Sequence, residues 1–532
     1  MLDKHKKKES KRGEVKVVCL EDLVPKDHLL RKIEKAVDFE DIYGMTEKYY
    51  SQDNGRPAID PVILVKIVLI QHLFGLRSLR QTVKEIQVNV AFRWFLGLGI
   101  DGAVPHFATV SYAFCTRFPS EIAREIFAWI LDAAVEKQFV KPEEAFFDGT
   151  HTKASANKKK SRKELAEETA RVYDERLREE INADREAHGK KPLKERTRPC
   201  REKEPETKEV TVSNTDPDCG IFRKGEHKVE FAYEAHTACD TNGFVLGYEV
   251  TAGNVHDSVA FDPLYDQVTA RFSEIKTVVM DKAFKTPWIC KRVFDDGRNP
   301  SLPYRRPMTK DGFFKKYEYV YDEYYDCYLC PANQVLSYST TNREGYREYK
   351  SRACVCEKCP LRSQCTESKN CVKVVTRHVW EDYLERAEDF RHTPEGRASY
   401  ERRKETIERV FADAKEKHAM RYTHLRGLPR VTAWVGLKFA AMNLKKLACW
   451  GGDRLCFRLA CRPFCASASD KSPLPRLKQG FFDRLAPPAG FPQGVLFMHR
   501  EAVKTGLRLC FARRAARIFC HPSAGIARGF SG

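Results

Sequence analysis

The stretch Glu144-Ala-Phe-Phe-Asp-Gly-Thr-His-Thr-Lys153 is the part of the sequence on which the fold assignment depends. Its apolar triplet predicts a brief buried strand over residues 145–147 that ends by presenting the carboxylate of Asp148. A single Asp-Gly after an apolar triplet is usually only a turn. The same pattern recurs at residues 277–283, where a second short apolar strand stops at Asp281. This repetition makes both aspartates candidates for one site.

A third carboxylate lies in the best-patterned helical stretch of the chain. The spacing of polar and apolar residues predicts one continuous helix over residues 400–418, with one face formed by Tyr400, Lys404, Glu408 and Lys415. Two strand-end aspartates and one helical glutamate are the residue types of a divalent-metal phosphoryl-transfer site. Each carboxylate alone could equally be a cap or a surface charge, but the three together favour catalysis.

The chemistry explains why three carboxylates are enough. Two Mg²⁺ ions about 3.5–4 Å apart can neutralise the attacking and leaving oxygens of an in-line displacement. Mg²⁺ prefers oxygen ligands and keeps several waters, so two or three carboxylates suffice to hold the pair.

The composition describes a large basic protein with ample core material. The chain has 532 residues, of which 42% are hydrophobic, and a formal net charge of +19. A basic protein favours a polyanionic partner, because Lys and Arg beside phosphates release condensed counterions. The charge is uneven, since residues 451–532 carry fourteen Lys and Arg against four Asp and Glu and so supply +10 of it. The case for nucleic acid therefore cannot rest on net charge alone.

The N-terminal segment, residues 1–19, is basic and lacks the apolar core of a signal peptide. The most apolar run, residues 62–74, contains polar residues and is too short to span a bilayer. We therefore expect a cytoplasmic protein with no membrane partner. In that compartment we expect the nineteen cysteines to be metal ligands or free thiols rather than disulfides.

The pattern over residues 20–140 predicts an all-helical domain. Asp60-Pro61 is typical of an N-cap followed by proline at the first helical position. Ser78 and Gln81 have the spacing of a capping box. Such a domain could bind DNA or simply pack against the rest, and periodicity does not separate the two. The carboxylate pattern downstream makes us favour DNA binding.

The remaining elements predict a mixed sheet flanked by helices. Residues 141–306 give, in order, the first Asp strand, a hairpin with an Asn242-Gly243 turn, a helix and the second Asp strand. Residues 396–450 add the glutamate helix and an apolar closing helix, which we expect behind the sheet. This is the element order of an RNase H-like core within a multidomain protein of the α+β or α/β class.

Two inserts interrupt this predicted core. The first, residues 158–226, is mostly charged and predicts a helical arm that ends near Gly189. A charge run is usually a solvated face, so DNA contact at this arm stays open. The second insert, residues 307–395, is rich in cysteine.

Seven cysteines lie between residues 327 and 371 of the second insert. The candidate zinc ligands form two CxxC pairs, and they are Cys327, Cys330, Cys356 and Cys359. Cys365 and Cys354 lie close by, with Cys365 as the alternative ligand. The spacing is typical of a tetrahedral zinc site, and buried free thiols are the competing explanation. An all-thiolate site would be structural, because it leaves no position for water.

Five motifs connect these observations to a known family, and they are Arg56-Pro-Ala-Ile-Asp-Pro61, Asp148-Gly-Thr150, Gly253-Asn-Val-His-Asp257, Asp281-Lys-Ala-Phe-Lys-Thr-Pro287 and the run from Glu405 to His418. Over residues 20–450 the chain resembles the DDE transposases of bacterial insertion sequences, of the IS-four-like superfamily. Within them it resembles the branch with a cysteine-rich insert before the catalytic glutamate.

The resemblance implies roles for particular residues. The catalytic, metal-binding triad is expected to be Asp148, Asp281 and Glu408. The expected DNA-binding residues are Lys415, Arg403, Tyr400 and Arg421. In the family signature Tyr-x2-Arg-x3-Glu-x6-Lys, Glu408 and Lys415 fit as written, whereas Tyr400 and Arg403 lie one residue too far from the glutamate. His256 and Asp257 could belong to the site or form a loop-capping pair.

The favoured function is cut-and-paste transposition, in which metal-dependent cleavage and strand transfer take place at terminal inverted repeats. The implied cofactor is Mg²⁺ or Mn²⁺, with a structural Zn²⁺ as a further candidate. The partners are double-stranded DNA, both inverted repeats and target, and further copies of the chain assembled on it at the nucleoid. The alternatives are a standalone RNase H-like nuclease and a zinc-containing DNA-binding regulator without catalysis.

The tail, residues 451–532, is rich in Arg, Pro and Cys and shows neither helical nor strand periodicity. It could be a basic DNA-binding segment. Since nothing in it continues the resemblance, the stronger hypothesis is a non-native reading frame produced by a frameshift or by read-through.

Overall fold

The computed structural model describes residues 15, 17–51, 58–118, 120–157, 160–167, 174–193, 207–224, 228–306 and 309–460. The predictions for the tail lie outside this part from residue 461 on. Among the described residues, no helix has both the length and the apolar character needed to cross a membrane.

The described part of the region up to residue 140 is helical, as predicted. Its helices are α1 (Leu20–Leu23), α2 (Leu29–Glu34), α3 (Asp41–Thr46), α4 (Pro61–Leu73), α5 (Leu79–Val88), α6 (Val90–Phe95), α7 (Phe107–Tyr112) and α8 (Glu121–Glu136). The Asp60 carboxylate accepts from the Val62 amide at 2.8 Å, and the Ser78 hydroxyl accepts from the Gln81 amide at 3.2 Å. Both predicted N-caps are therefore confirmed.

The middle of the chain forms the main sheet, a separate two-stranded sheet and the helices around them. The elements are β1 (Glu144–Lys153), β2 (Ser161–Glu167), α9 (Asp174–Ala187), β3 (Thr207–Ser213), β4 (Gly220–Lys224), β5 (Lys228–Cys239), β6 (Val245–Ala252), α10 (Asp257–Arg271), β7 (Thr277–Val279), α11 (Pro287–Asp295) and β8 (Asn299–Ser301). The predicted helical arm was wrong in its first part, because residues 161–167 pair with β3 as a strand.

Strand β1 is the central element of this sheet. It pairs antiparallel with β5 on one side and parallel with β7 on the other, and β7 pairs parallel with β8. Strands β4 and β6 both pair antiparallel with β5 on its far side. The turn between β5 and β6 contains Gly243 at φ +73°, which confirms the Asn-Gly hairpin.

One prediction about β1 was wrong. The strand does not end at Asp148 but runs on to Lys153, because β5 supplies a partner for every residue from Phe146 onward. Asp148 therefore lies in mid-strand, opposite Thr237, and Gly149 lies opposite His236. Successive strand side chains point to opposite faces, so Asp148 and Gly149 serve different faces of the sheet.

The cysteine-rich insert forms a second sheet with its own small core. Its elements are β9 (Val320–Asp322), β10 (Cys327–Leu329), β11 (Val335–Thr341), β12 (Tyr346–Lys350), α12 (Ala353–Glu357), β13 (Val374–His378), α13 (Glu381–His392) and α14 (Pro394–Arg402). The strand order is β13-β12-β11-β10-β9, all antiparallel. The buried residues of this core are Tyr319, Tyr328, Leu336, Tyr349 and Val375.

The two predicted inserts contact each other. Helix α9 of the first insert places Asp184 2.7 Å from the guanidinium of Arg347 in the second. At the end of α9, His188 Nε2 lies 2.7 Å from the Asp326 carboxylate. Charged residues of α9 thus serve as docking groups for the second sheet, which answers part of the question about the charged arm.

The chain closes with α15 (Ile407–Glu416) and α16 (Leu428–Ala460). The apolar helix α16 packs against β6, as expected, and also against α2, α4 and α8. It joins the helical region to the sheet, and its buried residues belong to one continuous core. Since α16 runs on to Ala460, the predicted boundary at residue 450 falls inside a helix.

Candidate functional site

Arg403 connects two of the three predicted acids. Its guanidinium lies 2.5 Å from the Asp148 carboxylate and 3.5 Å from the Glu408 carboxylate. Asp148 is supplied by mid-strand β1, and Glu408 by the first turn of α15. Residues 260 positions apart in the sequence therefore share one cation.

Asp281 completes the group from the neighbouring strand. It follows β7, the parallel neighbour of β1, and its carboxylate accepts from the Lys282 amide. Burial raises the pKa of the Tyr400 hydroxyl, and the charges that act on it next are those of Arg403, Asp281, Asp148 and Glu408. All three acids and Arg403 therefore lie close enough to Tyr400 to act on its pKa. The structure thus brings the predicted residues together.

Asp148 is largely buried, with its side chain 17% exposed. Burial raises its pKa to about 6, whereas Arg403 and the Gly149 amide act in the opposite direction. The neighbouring charges of Asp281 and Asp257 raise the pKa further. A crowded carboxylate that is costly to ionise gains most from an added cation. The charge arrangement therefore fits a divalent ion.

The helix predicted over residues 400–418 is in fact two helices. Helix α14 ends at Arg402, residues 403–406 form a turn, and α15 starts at Ile407. Tyr400 and Lys404 therefore do not share a helix face with Glu408. The turn accommodates the one residue by which the chain exceeds the family signature and still brings Arg403 to the site.

Lys415 and Arg421 line a basic cleft. The cleft has a volume of about 910 Å³ and joins the helical region to the end of α15. Its basic lining residues include Arg77, Lys415, Arg421, His424 and Arg430. Arg421 also pairs with Glu416. The positive charge expected of a DNA-contacting surface is present at the end of α15, the helix that carries Glu408.

The sequence interpretation missed a second group of polar residues on the other face of β1 and β5. Glu234 and His236 of β5 lie with Asp257 of α10 so that their ligand atoms are all within 4.8 Å of one another. The available signal was the pair of polar residues between Tyr233, Ala235 and Thr237 in an otherwise apolar strand, since buried polar groups need partners.

His256 and Asp257 have different roles in the structure, although they are neighbours in the sequence. His256 caps α10, where its Nδ1 accepts from the Ser258 amide at 3.2 Å. Asp257 instead lies 3.3 Å from His236 Nδ1. His256 is therefore a capping residue, and Asp257 belongs to the second group.

Four of the candidate zinc ligands lie around one small cavity. They are Cys330, Cys356, Cys359 and the alternative Cys365, whereas Cys327 of β10 is absent from the lining. Within the described residues, the one group of three with metal-ligand spacing is that of Glu234, not a set of thiols. Zinc binding by the cysteines therefore stays a prediction.

Two family models match the chain. Residues 18–114 match a family described as Transposase domain (DUF772), and residues 329–448 match one described as Transposase DDE domain. The second match contains Glu408 and Lys415, and both aspartates lie outside it. None of the curated proteins matches the chain.

The fold, the convergent acids and these matches define a transposase. More specifically, the two matches support a DDE transposase of insertion sequences, which confirms the family resemblance. A DDE transposase domain implies nucleotidyl transfer and a general use of divalent metals such as Mg²⁺.

Proposed function

We propose that the chain performs metal-dependent DNA cleavage and strand transfer at the terminal inverted repeats of its insertion sequence, with Asp148, Asp281 and Glu408 as the metal-binding triad. The observation that carries this proposal is the guanidinium of Arg403 between Asp148 and Glu408. It marks a place where acids from two distant segments require a shared positive charge.

The strand order supports an RNase H-like core. Three strands, β1, β7 and β8, are parallel, and β5 and β6 form an antiparallel hairpin at the edge of β1. The segments predicted as inserts follow β1 and β8, although β4, at the end of the first of them, pairs with β5 of the main sheet. We assign the cysteine-rich insert to the same branch of the family on this basis.

The protein side of the reaction consists of binding and positioning. Divalent ions, when bound, supply the charge that stabilises the attacking and leaving oxygens. Asp148 and Asp281 would hold these ions from the sheet and Glu408 from α15. Arg403 balances the charges of Asp148 and Glu408. If divalent ions took over that role at the same oxygens, the guanidinium would become available to a DNA phosphate.

DNA would lie along the basic cleft. Lys415 follows Glu408 by seven residues on α15, and Arg421 and Arg77 line the same cleft from different segments. Arg77 belongs to the helical region, so that region and the acids would act on one DNA end together. Tyr400 and Arg403 would contact the strand nearest the acids. A homo-oligomer on DNA would bring two ends together.

The decisive experiment uses Glu408→Gln, with Asp413→Asn on the same helix as the matched control. We expect Glu408→Gln to abolish Mg²⁺- or Mn²⁺-dependent nicking and joining at the element ends while DNA binding persists. Asp413 follows Glu408 by five residues, so it lies about 140° around α15 from it. It pairs with Lys417 at 2.7 Å, and its variant should keep activity. Full strand transfer by Glu408→Gln would refute the proposal. Cutting without joining by the unaltered protein would favour a standalone nuclease.

A structural zinc ion at the cysteines stays a prediction, now with the ligands Cys330, Cys356, Cys359 and Cys365. Its support is the shared cavity and the local geometry at Cys330, whose sulfur accepts from the Gln334 amide at 3.3 Å. Mass-spectrometric metal analysis of protein purified without added zinc tests it. A zinc content near zero would contradict the prediction.

A further inference from the structure

Glu234, His236 and Asp257 form a compact and largely buried group. Glu234 and His236 are 5% and 1% exposed, and the Asp257 side chain is 25% exposed. His236 Nδ1 lies 3.3 Å from Asp257 Oδ1, and the ligand atoms of all three residues lie within 4.8 Å of one another. Two carboxylates and an imidazole therefore meet in a space with little water.

The group is separate from the site of Asp148. Because side chains alternate along β1, Asp148 faces one side of the sheet and Gly149 the other. A Cβ atom added at Gly149 would lie 2.6 Å from Glu234 Oε1 and 2.9 Å from Asp257 Oδ1. The second group is thus packed directly behind the strand that carries Asp148, on the face covered by α10.

His236 is oriented as a metal ligand would be. Its Nε2 lies 3.0 Å from the Thr251 hydroxyl, which can accept the ring N–H and leave the lone pair on Nδ1. Among the described residues, His236 Nδ1 and Asp257 Oδ1 are buried atoms that lack a hydrogen bond of acceptable geometry. Metal-bound histidines in general donate their other N–H to such an acceptor. An unpartnered nitrogen on a residue 1% exposed thus points at two carboxylates.

The spacings suit a tetrahedral ion. With metal–ligand bonds of about 2.0–2.1 Å, neighbouring ligands of a tetrahedral Zn²⁺ are separated by about 3.3 Å. His236 Nδ1 and Asp257 Oδ1 are 3.3 Å apart, and so are His151 Nδ1 and Glu234 Oε1. His151 of β1 is stacked on Phe222 at 3.6 Å between ring centroids, which fixes its ring beside the group. Mixed imidazole and carboxylate ligands favour Zn²⁺ over Mg²⁺, which takes mainly oxygen.

We propose that Glu234, His236 and Asp257 bind a structural Zn²⁺ ion on the face of the sheet opposite Asp148. His151 lies against Glu234 but outside this group of three, and a small shift of its ring completes the ligand set. The ion ties together β1, β5 and the first turn of α10. It thereby fixes the Gly149 backbone next to Asp148. This site is independent of the proposed reaction and of the cysteines.

The test measures zinc in the full-length protein by mass spectrometry and by X-ray absorption at the zinc edge. Nitrogen and oxygen ligands give a shell at about 2.0–2.1 Å, whereas thiolates give one at about 2.3 Å. We expect the unaltered protein to show both shells if the cysteines are also loaded, and the nitrogen–oxygen shell in either case. A spectrum without a nitrogen–oxygen shell would overturn the proposal, and this readout needs no variant.

A double variant, Glu234→Gln with Asp257→Asn, locates the ion. It should lose about one zinc per chain together with the nitrogen–oxygen shell, while Glu230→Gln on the same strand keeps both. Glu230 pairs with Lys153 at 3.1 Å and so controls for loss of a β5 carboxylate. Asp148→Asn with Asp281→Asn should also keep the ion; loss of the shell in that variant alone would place zinc at the catalytic acids instead.

The competing explanation is a proton shared by Glu234 and Asp257. In that case zinc added to the metal-free protein would leave the melting temperature unchanged, and the double variant would contain as much zinc as the unaltered chain. Either result would refute the site. A zinc-dependent rise in melting temperature in the unaltered protein and in Glu230→Gln, absent from the double variant, would support it.

Discussion

Each face of the β1–β5 strand pair carries a group of acids. The two groups differ in the nitrogen-containing side chain that contacts the carboxylates. On one face, the long flexible side chain of Arg403 reaches Asp148 and the half-exposed Glu408. On the other, the short rigid imidazole of His236 is enclosed with Glu234 and Asp257. The first group is open to solvent at Glu408, whose side chain is 51% exposed, and this suits acids that exchange their ions. The second group is enclosed around a ring that is 1% exposed, which suits acids that keep one ion. We therefore expect the acids of the first face to act in catalysis and those of the second face to stabilise the fold.

The largest effect should follow from Asp148→Asn, which alters only the first face. We expect metal-dependent nicking to fall on the order of 10³-fold or more, the scale of losing a group that acts in the transition state. Zinc content and melting temperature should stay near those of the unaltered protein. A parallel loss of zinc would show that the two faces are not independent.

Adding a methyl group at Gly149 should instead disturb the second face. In Gly149→Ala the new Cβ would meet carboxylate oxygens of Glu234 and Asp257 at 2.6 and 2.9 Å. Overpacking of this kind costs about 1–3 kcal/mol, which urea unfolding would measure. The control is Gly44→Ala in α3, where nothing lies within 4 Å of the added Cβ. Equal stability of the two variants would contradict the packing described here.

Arg403→Gln tests whether the guanidinium competes with metal. At pH 8, where Asp148 is ionised, the variant should bind Mn²⁺ more tightly, by roughly tenfold, since about 1.4 kcal/mol of competing interaction corresponds to that factor. Electron paramagnetic resonance of free Mn²⁺ measures the affinity, with Arg409→Gln as the control. Weaker binding at pH 8 would mean that Arg403 supports the metal rather than competing with it.

The smallest effect concerns pH. Burial raises the pKa of Asp148 to about 6, above its ordinary value of 3.8. The folded state therefore holds this proton more tightly, and the resulting stabilisation is present at low pH and lost as pH rises through about 6. With a chelator present, the stability of the unaltered protein relative to Asp148→Asn should thus be greater at pH 4.5 than at pH 7. An unchanged difference would contradict the raised pKa.

Helix caps and the hairpin turn were predictable from the sequence, but the pairing between distant strands was not. The caps at Asp60 and Ser78 and the hairpin at Gly243 each depend on residues within a few positions. The extent of β1 could not be predicted, because residues beyond Asp148 become a strand only through pairing with β5. Local turn propensity at Asp-Gly was overridden by that pairing.

The same distinction between local patterns and distant contacts applies to the candidate site. The identities of the three acids came from motifs, but the role of Arg403 depends on a turn that the helical pattern concealed. Glu234 and His236 were missed because their partner Asp257 lies on α10, about twenty residues further along the chain. A polar residue on a buried strand face indicates that a partner exists, and only the fold shows which one.

The turn at residues 403–406 also bears on how such proteins are found. One extra residue inside a continuous helix would rotate everything after it by about 100° and would misplace Glu408. In a turn, the same insertion changes only a few backbone torsions. Signatures that fix the number of residues between arginine and glutamate will therefore overlook chains of this kind, although the two side chains still meet, at 3.5 Å.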